Sequence, residues 1–309
     1  TEFVEPEENL LVFGGKLPEN DRMKEIDRIL VSRETVALPE SEAGWLAHRE
    51  TALAKLRSVT FRHVPEVLTP RVLEFRSDGA ERSRTEPGVG TAYGSWTFET
   101  RDGLSLSLRT ALPENADWPV PLVAYALQQD AKSGFCGGGS SRPGVPRGVG
   151  TVGVEVRNTA ATSVGPGYLW TLRRVYPLLG QTLPERQVCD LLAGIALMRA
   201  QALAGEVCLF GQGHTAALAI YAAVLDESIR EVILAGPPES HEDPQAPEFL
   251  GILRFGDLPQ NLALVYPRPI TFIGEIPPAY QWTVDCYARL GAADRIRVLE
   301  NVGNWSPAG

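Results

Sequence analysis

The sequence predicts an α/β fold: a mostly parallel sheet with helices on both faces, preceded by a helical N-terminal extension. Three observations predict it. Alternating apolar positions (Trp96, Phe98, then Leu104, Leu106, Leu108) flank Arg101-Asp102-Gly103, and Asp-Gly between such segments signals a hairpin. From Pro121 onward, short continuous apolar runs take turns with stretches of helical period. Continuous runs mark strands buried on both faces, as in a parallel sheet. Residues 1 to 90 differ, being rich in Glu, Arg and Pro, with helical spacing in place of strand runs.

The elements follow in order. Asp21 to Leu30 reads as a helix after Asn20, and Ser41 to Leu56 as a second, with Ser41 as N-cap and Trp45, Leu46, Leu53 and Leu56 near helical spacing. Ser77 to Gly90 is polar with Gly and Pro and reads as a loop or domain boundary, so the domains divide as 1–90 and 91–309. Strands are expected at Pro121 to Leu127, Thr151 to Arg157, Glu206 to Phe210, Arg230 to Ala235, Pro269 to Gly274 and Arg295 to Glu300. Helices are expected at Tyr168 to Leu179, Glu185 to Ala200, His214 to Leu225 and Ala279 to Leu290. In the second of these, Val188, Leu191, Leu192 and Ile195 fall at i, i+3, i+4 and i+7. Ligands of such sheets bind beyond the C-terminal strand ends.

Composition excludes several function classes. The chain has 309 residues and a net charge of −9, a poor match to phosphate neutralisation, so no nucleic acid is expected as partner. Only four of its 29 basic residues are Lys, which reads as codon bias. The longest apolar run, Ala216 to Leu225, is too short to span a bilayer. Four scattered cysteines (Cys136, Cys189, Cys208, Cys286) form no CxxC and suggest neither a zinc knuckle nor a disulfide framework. The chain opens on Thr1, as a processed secreted or periplasmic chain or a fragment would.

The sharpest feature is EVCLF-GQGHTA-ALAIYAAVLD, residues 206 to 226, a strand running through a Gly-rich turn into a helix. Together with RQVCDLLAGIALMRAQ before it, and PRPITFIG and YARLGAADRIRVLE after it, this segment resembles the α/β-hydrolase superfamily. The resemblance is closest to the prolyl oligopeptidase, acetyl xylan esterase and dienelactone hydrolase branch. It covers roughly residues 92 to 300, and the helical lead-in is similar to that of large bacterial multidomain proteins. It implies an α/β-hydrolase-type sheet and descent from carboxylic-ester hydrolases, with carbohydrate acetyl esters as the usual substrates. In that family the turn reads G-x-S-x-G or G-x-C-x-G and presents a nucleophile. Here the nucleophile position falls on Gly213, which has no side chain to attack a carbonyl. The family's acid would follow the strand ending at Gly274, where Glu275 stands. Its His would follow the strand ending at Glu300, where Asn301, Gly303, Asn304 and Trp305 stand. Nucleophile and base are both missing from their places, and Ser–His–acid catalysis needs them in contact. A degenerate hydrolase-like domain that binds a ligand or partner is the first expectation.

Two alternatives use the same residues. An enzyme with a non-standard acid/base or metal site could be built from His214, His241, Asp243 and Glu275, all expected at the C-terminal strand ends. Gly211-x-Gly213-x-x-Ala216 also fits the dinucleotide fingerprint for NAD or FAD, but no acidic residue ends the next strand. No resident cofactor or metal is expected. Candidate ligand-binding residues are Gly211, Gln212, Gly213, Thr215, Cys136 and Asn158, for a small-molecule or carbohydrate ester. Cys136 lies in Ala131 to Gly150, which has seven glycines in twenty residues, follows the strand that leads to the oxyanion loop in the family, and also holds Ser133, Ser140 and Ser141. Asn158 stands where the family's D-x-R-G-x-G segment often has Asp. Tyr168, Trp170 and Arg173 line the cleft or pack, with packing favoured for Trp170. His48 and His63 read as surface residues.

Overall fold

A computed structural model describes residues 6–82, 90–127 and 145–307. The N-terminal part carries two short helices, α1 (Glu7–Leu10) and α2 (Ile26–Leu30), then the longer α3 (Glu42–Ser58). Ser41 caps α3, its hydroxyl accepting from the Gly44 N–H at 3.2 Å. Thus α3 starts where its cap is expected, whereas the first predicted helix, Asp21 to Leu30, shrinks to α2. α3 sends Trp45, Ala52 and Leu56 into the same core as the sheet. Arg49 and Arg57 tie it further to the backbone carbonyls of Leu264 and Leu225.

Nine strands form one sheet in the order β1-β2-β3-β5-β4-β6-β7-β8-β9. They are β1 (Arg71–Arg82), β2 (Gly90–Glu99), β3 (Ser105–Pro113), β4 (Val120–Ala126), β5 (Gly150–Val154), β6 (Ala204–Gln212), β7 (Ile229–Ala235), β8 (Ile270–Ile273) and β9 (Ile296–Leu299). The pairs β1/β2, β2/β3 and β3/β5 are antiparallel, and every other pair is parallel. The β2/β3 hairpin turns at the predicted Asp-Gly, with Gly103 at φ 80°. The stretch read as a loop from Ser77 is strand as far as Arg82, so that reading is corrected. Every residue of β1 is exposed, so no buried alternation marked it in the sequence. Residues 83–89 lie outside the described part.

Between the parallel strands run α4 (Pro166–Leu178), α5 (Leu183–Ala200), α6 (His214–Leu225), α7 (Leu258–Ala263) and α8 (Gln281–Arg289). α5 begins with a capping box between Thr182 and Glu185. α6 is apolar all round and is buried from Thr215 to Leu225, as expected of a central helix. One sheet face, including Leu122, Val152, Leu209, Leu234 and Phe272, packs with these helices into the main core. The alternate residues Val123, Cys208 and Ile233 form a smaller cluster on the other face, closed by Trp305. Beside it the buried Glu231 accepts hydrogen bonds from Thr271, Arg297 and Trp305. No helix among the described residues is long and apolar enough to cross a membrane.

Candidate functional site

Beyond the C-terminal ends of β4, β5 and β6 lies a cleft of about 580 Å³. Leu127, Val156, Leu169, Leu183 and Leu218 supply its apolar wall, and Asn158, Gln187, Gln212 and His214 its polar points. A concavity that joins apolar walls to placed polar groups is the usual form of a small-molecule site.

Its floor is the turn from β6 to α6. Gly211 lets the two elements touch: a Cβ there would stand 2.5 Å from Ala216 Cα and 2.7 Å from the Thr215 carbonyl oxygen. Gly213 has φ 53° and ψ −125°, a backbone shape that L side chains enter only with strain. Its N–H donates to the Ala235 carbonyl at 3.0 Å. Thr215 locks the turn, its hydroxyl accepting from the Gln212 N–H and donating to the Gln212 carbonyl, both at 3.0 Å. This is a strained strand-to-helix elbow of the kind that exposes a nucleophile. A Cβ added at Gly213 would meet no atom within 4 Å. Gly213→Ala is therefore expected to fold and to lose about 1–3 kcal/mol, all of it backbone strain. Urea unfolding checks this, and a loss well above that range would mean the added methyl collides.

The antiparallel start, the parallel remainder, the strand order and the elbow after β6 decide the architecture. The fold is that of the α/β-hydrolases. Solved structures agree. A Bacteroides fragilis NCTC 9343 protein assigned as an acetyl xylan esterase superposes with a TM-score of 0.70 at 13% identity, over 92% of this chain and 82% of that one. A glucuronoyl esterase from Solibacter usitatus gives 0.55 at 14%, over 86% and 87%. An acetyl xylan esterase from Paenibacillus sp. R4 gives 0.53 at 12%, over 93% and 94%. No family model and no curated protein sequence matches the chain.

Within this α/β-hydrolase frame the four candidate acid/base residues do not converge. His214 is in the cleft, at the first position of α6. Its Nδ1 lies 3.4 Å from the Gln245 carbonyl. A carbonyl only accepts, so this contact assigns the proton to Nδ1 and leaves the Nε2 lone pair unclaimed. His214 is exposed at the cleft surface, yet the atoms packed around its ring partly desolvate it and lower its pKa, and the Gln245 contact opposes this. His241 does not line the cleft; it is built into the packing of the loop after β7. Its Nε2 meets the Tyr221 hydroxyl at 2.6 Å and its Nδ1 the Pro247 carbonyl at 3.3 Å. The Tyr221 and Phe249 rings pack on it, and burial drops its pKa to about 4 despite the Asp257 charge. Asp243 caps that loop, accepting from the Gln245 N–H at 2.8 Å. Glu275 is exposed beyond β8, away from the cleft lining. The sequence rule chose the right strand ends but could not say which way each loop side chain turns. Among the described residues no three His, Cys, Asp or Glu groups are placed to hold a metal ion.

Of the ligand-binding candidates, Gln212, Gly213, Thr215 and Asn158 line the cleft, while Gly211 only packs the elbow. Asn158 holds φ 62° and accepts from the Val164 N–H at 3.1 Å through its Oδ1. Cys136, with Ser133, Ser140 and Ser141, falls outside the described residues. Cys189, Cys208 and Cys286 are buried free thiols. Arg173 lines the cleft mouth and pairs with Glu248 across it, with one N–H···O distance of 2.9 Å. Trp170, expected to pack, is instead exposed, with the Arg174 guanidinium 3.7 Å above its ring.

Sequence reasoning missed Gln187. It sits on α5, 6% exposed, and lines the cleft. Its Nε2 donates to the Arg157 carbonyl at 2.9 Å, while its buried Oε1 has no partner. A buried acceptor left unpaired is costly, and a ligand donor would relieve it. Arg157 is fixed in turn by Asp190, to which its N–H, Nε and Nη2 all donate at 2.8–2.9 Å. It also reaches Asp102 at 2.9 Å. Burial opposes ionisation of Asp102, but the hydrogen bonds from Arg157 and Thr100 and the charges of Arg157 and Arg186 hold its carboxyl well below the usual range.

Proposed function

We propose that this chain binds a small ester of the carbohydrate-ester class in the elbow cleft, without forming an acyl-enzyme. The observation that carries this reading is Gly213: the elbow keeps the strained turn, and no side chain stands on it to attack. Three other features support it. The cleft opens beyond the strand ends, where ligands of such sheets bind. Its wall mixes apolar side chains with polar ones, which suits an acyl group carried on a hydroxylated body. The proteins it superposes on are named as esterases of acetyl xylan and of glucuronoyl groups, and that class is carried over here as the proposal. The unpaired Gln187 Oε1 would take a hydroxyl hydrogen from the ligand, and the first N–H groups of α6 would face the ester carbonyl.

Calorimetric titration with acetylated xylo-oligosaccharides, against the deacetylated sugars, tests the reading. Saturable binding that needs the acetyl groups is expected, together with no covalent labelling by an organophosphonate ester probe. Gln187→Leu should weaken binding about tenfold, the value of one lost buried hydrogen bond. Absence of saturable binding, or labelling by the phosphonate, would overturn the reading.

A further inference from the structure

We propose that His214 is a general base that drives direct attack of water on the ester held in this cleft, so that the chain hydrolyses esters by single displacement. The inference rests on the binding reading above and adds an activity to it.

The argument starts from the imidazole. The Gln245 carbonyl takes the Nδ1 hydrogen, so the free lone pair is on Nε2 and the ring is oriented by a backbone group. A base so held needs no carboxylate partner to fix its tautomer. Partial desolvation of the ring, though the residue is exposed at the cleft surface, favours the neutral form, which is the form that accepts a proton. Among the described residues, the charged side chains lining the cleft are Arg173 of α4 and Glu248 of the loop after β7, and they are paired with each other. Asp243, on the same loop, is turned into its own cap. Among the described residues, neither sign of charge is therefore left unpaired beside the ring.

The second part is the elbow. His214 follows Gly213 directly, and the position a nucleophilic side chain would fill at Gly213 has no atom within 4 Å. A water admitted there would face the same carbonyl carbon that a serine would attack. The His214 and Thr215 N–H groups open α6, and the first N–H groups of a helix have no intrahelical acceptor. They suit the oxyanion that forms next.

The step balances without a co-reactant. Water oxygen bonds to the ester carbon while one of its protons passes to His214 Nε2, and the carbonyl π pair moves onto oxygen. Collapse of the tetrahedral adduct breaks the carbon–alkoxy bond. The leaving alkoxide takes the proton back from His214, giving one acid and one alcohol. General-base assistance of this kind is worth about 10²–10⁴-fold.

The test compares wild type with His214→Gln on p-nitrophenyl acetate and acetylated xylo-oligosaccharides, with ligand binding measured in parallel. Wild type should turn over without a stoichiometric burst. Its kcat/KM should fall on acidification, with an apparent pKa below the ordinary 6.5 of histidine. His214→Gln should lose at least 100-fold in kcat with KM and binding unchanged. Binding by wild type without turnover above buffer, equal turnover by His214→Gln, or a burst of one product per chain would each overturn the His214 assignment. The first two leave the binding reading standing; the burst removes its claim that no acyl-enzyme forms. Failure of wild type to bind would remove both.

Discussion

Replacing Arg157 with leucine is expected to destabilise the chain by about 3–5 kcal/mol, the usual result of removing one partner from a buried ion pair. Arg157 is 6% exposed and Asp190 1%. Three of its hydrogen bonds end on the Asp190 carboxylate, and Asp102 takes two more with help from Arg186. With the guanidinium gone, Asp190 keeps only the Arg157 backbone N–H among these and remains a buried charge. Asp102 is less affected, since its side chain is 40% exposed and Arg186 stays beside it at 3.0 Å. The double variant Arg157→Leu, Asp190→Leu should recover much of the loss, because it removes the orphaned charge. Urea denaturation of the three proteins decides it. A single variant within about 1 kcal/mol of wild type, or a double variant no better than the single, would show that the pair is not what holds this corner. The corner matters to the cleft, since the Arg157 carbonyl anchors Gln187 and the next residue is Asn158.

Glu185 should make stability fall as pH rises, and Glu185→Gln should abolish that fall. The carboxyl is 0% exposed. Burial raises its pKa from 4.5 to about 7, although Arg186, Arg157, Arg62 and the Thr182 N–H pull it down. Its Oε2 takes the Thr182 N–H at 3.4 Å, while Oε1 has no partner. The folded chain thus keeps a proton that the unfolded chain releases. Stability from this source is fully present below pH 4.5 and is lost as pH climbs through about 7. The shift corresponds to about 3 kcal/mol. Gln keeps the cap acceptor and carries no proton to lose. Its unfolding free energy relative to wild type should therefore rise by most of that amount between pH 5 and pH 8. A difference that stays constant with pH would mean that Glu185 is ionised in the folded chain.

The sheet and the elbow were legible because their residues announce themselves locally. The Asp-Gly hairpin, the continuous strand runs and GQGHTA each carry their own geometry in residue type. β1 was not legible, since a fully exposed edge strand shows neither alternation nor an apolar run. Helix α7, six residues long, is too short to show a helical period. In the candidate cleft, Gly213, His214 and Asn158 were legible because they stand on turns at strand ends. Gln187 was hidden among Val188, Leu191 and Leu192, which read only as a buried helix. Only the packing of α5 on β5 puts its amide at the cleft. His241, Asp243 and Glu275 show the reverse error. Their loops were placed correctly, but Tyr221 and the loop's own backbone claim the first two side chains, and the third stands in solvent.

Trp305 sets a condition on any attempt to graft a histidine beyond β9. The segment after β9 is where the resemblance to the α/β-hydrolases would place a histidine. Here it is riveted down: Trp305 is 2% exposed, wedged against Val123, Cys208 and Ile233, and its indole N–H is fastened to Glu231. The segment is a clasp for the sheet. Serine grafted at Gly213 would find open room, but a histidine grafted between Asn301 and Asn304 would sit on a segment none of whose residues lines the cleft. Building a triad on Gly213 and this segment would mean unfastening the clasp and finding another way to close the core beneath it, which is a loop redesign, not two point substitutions.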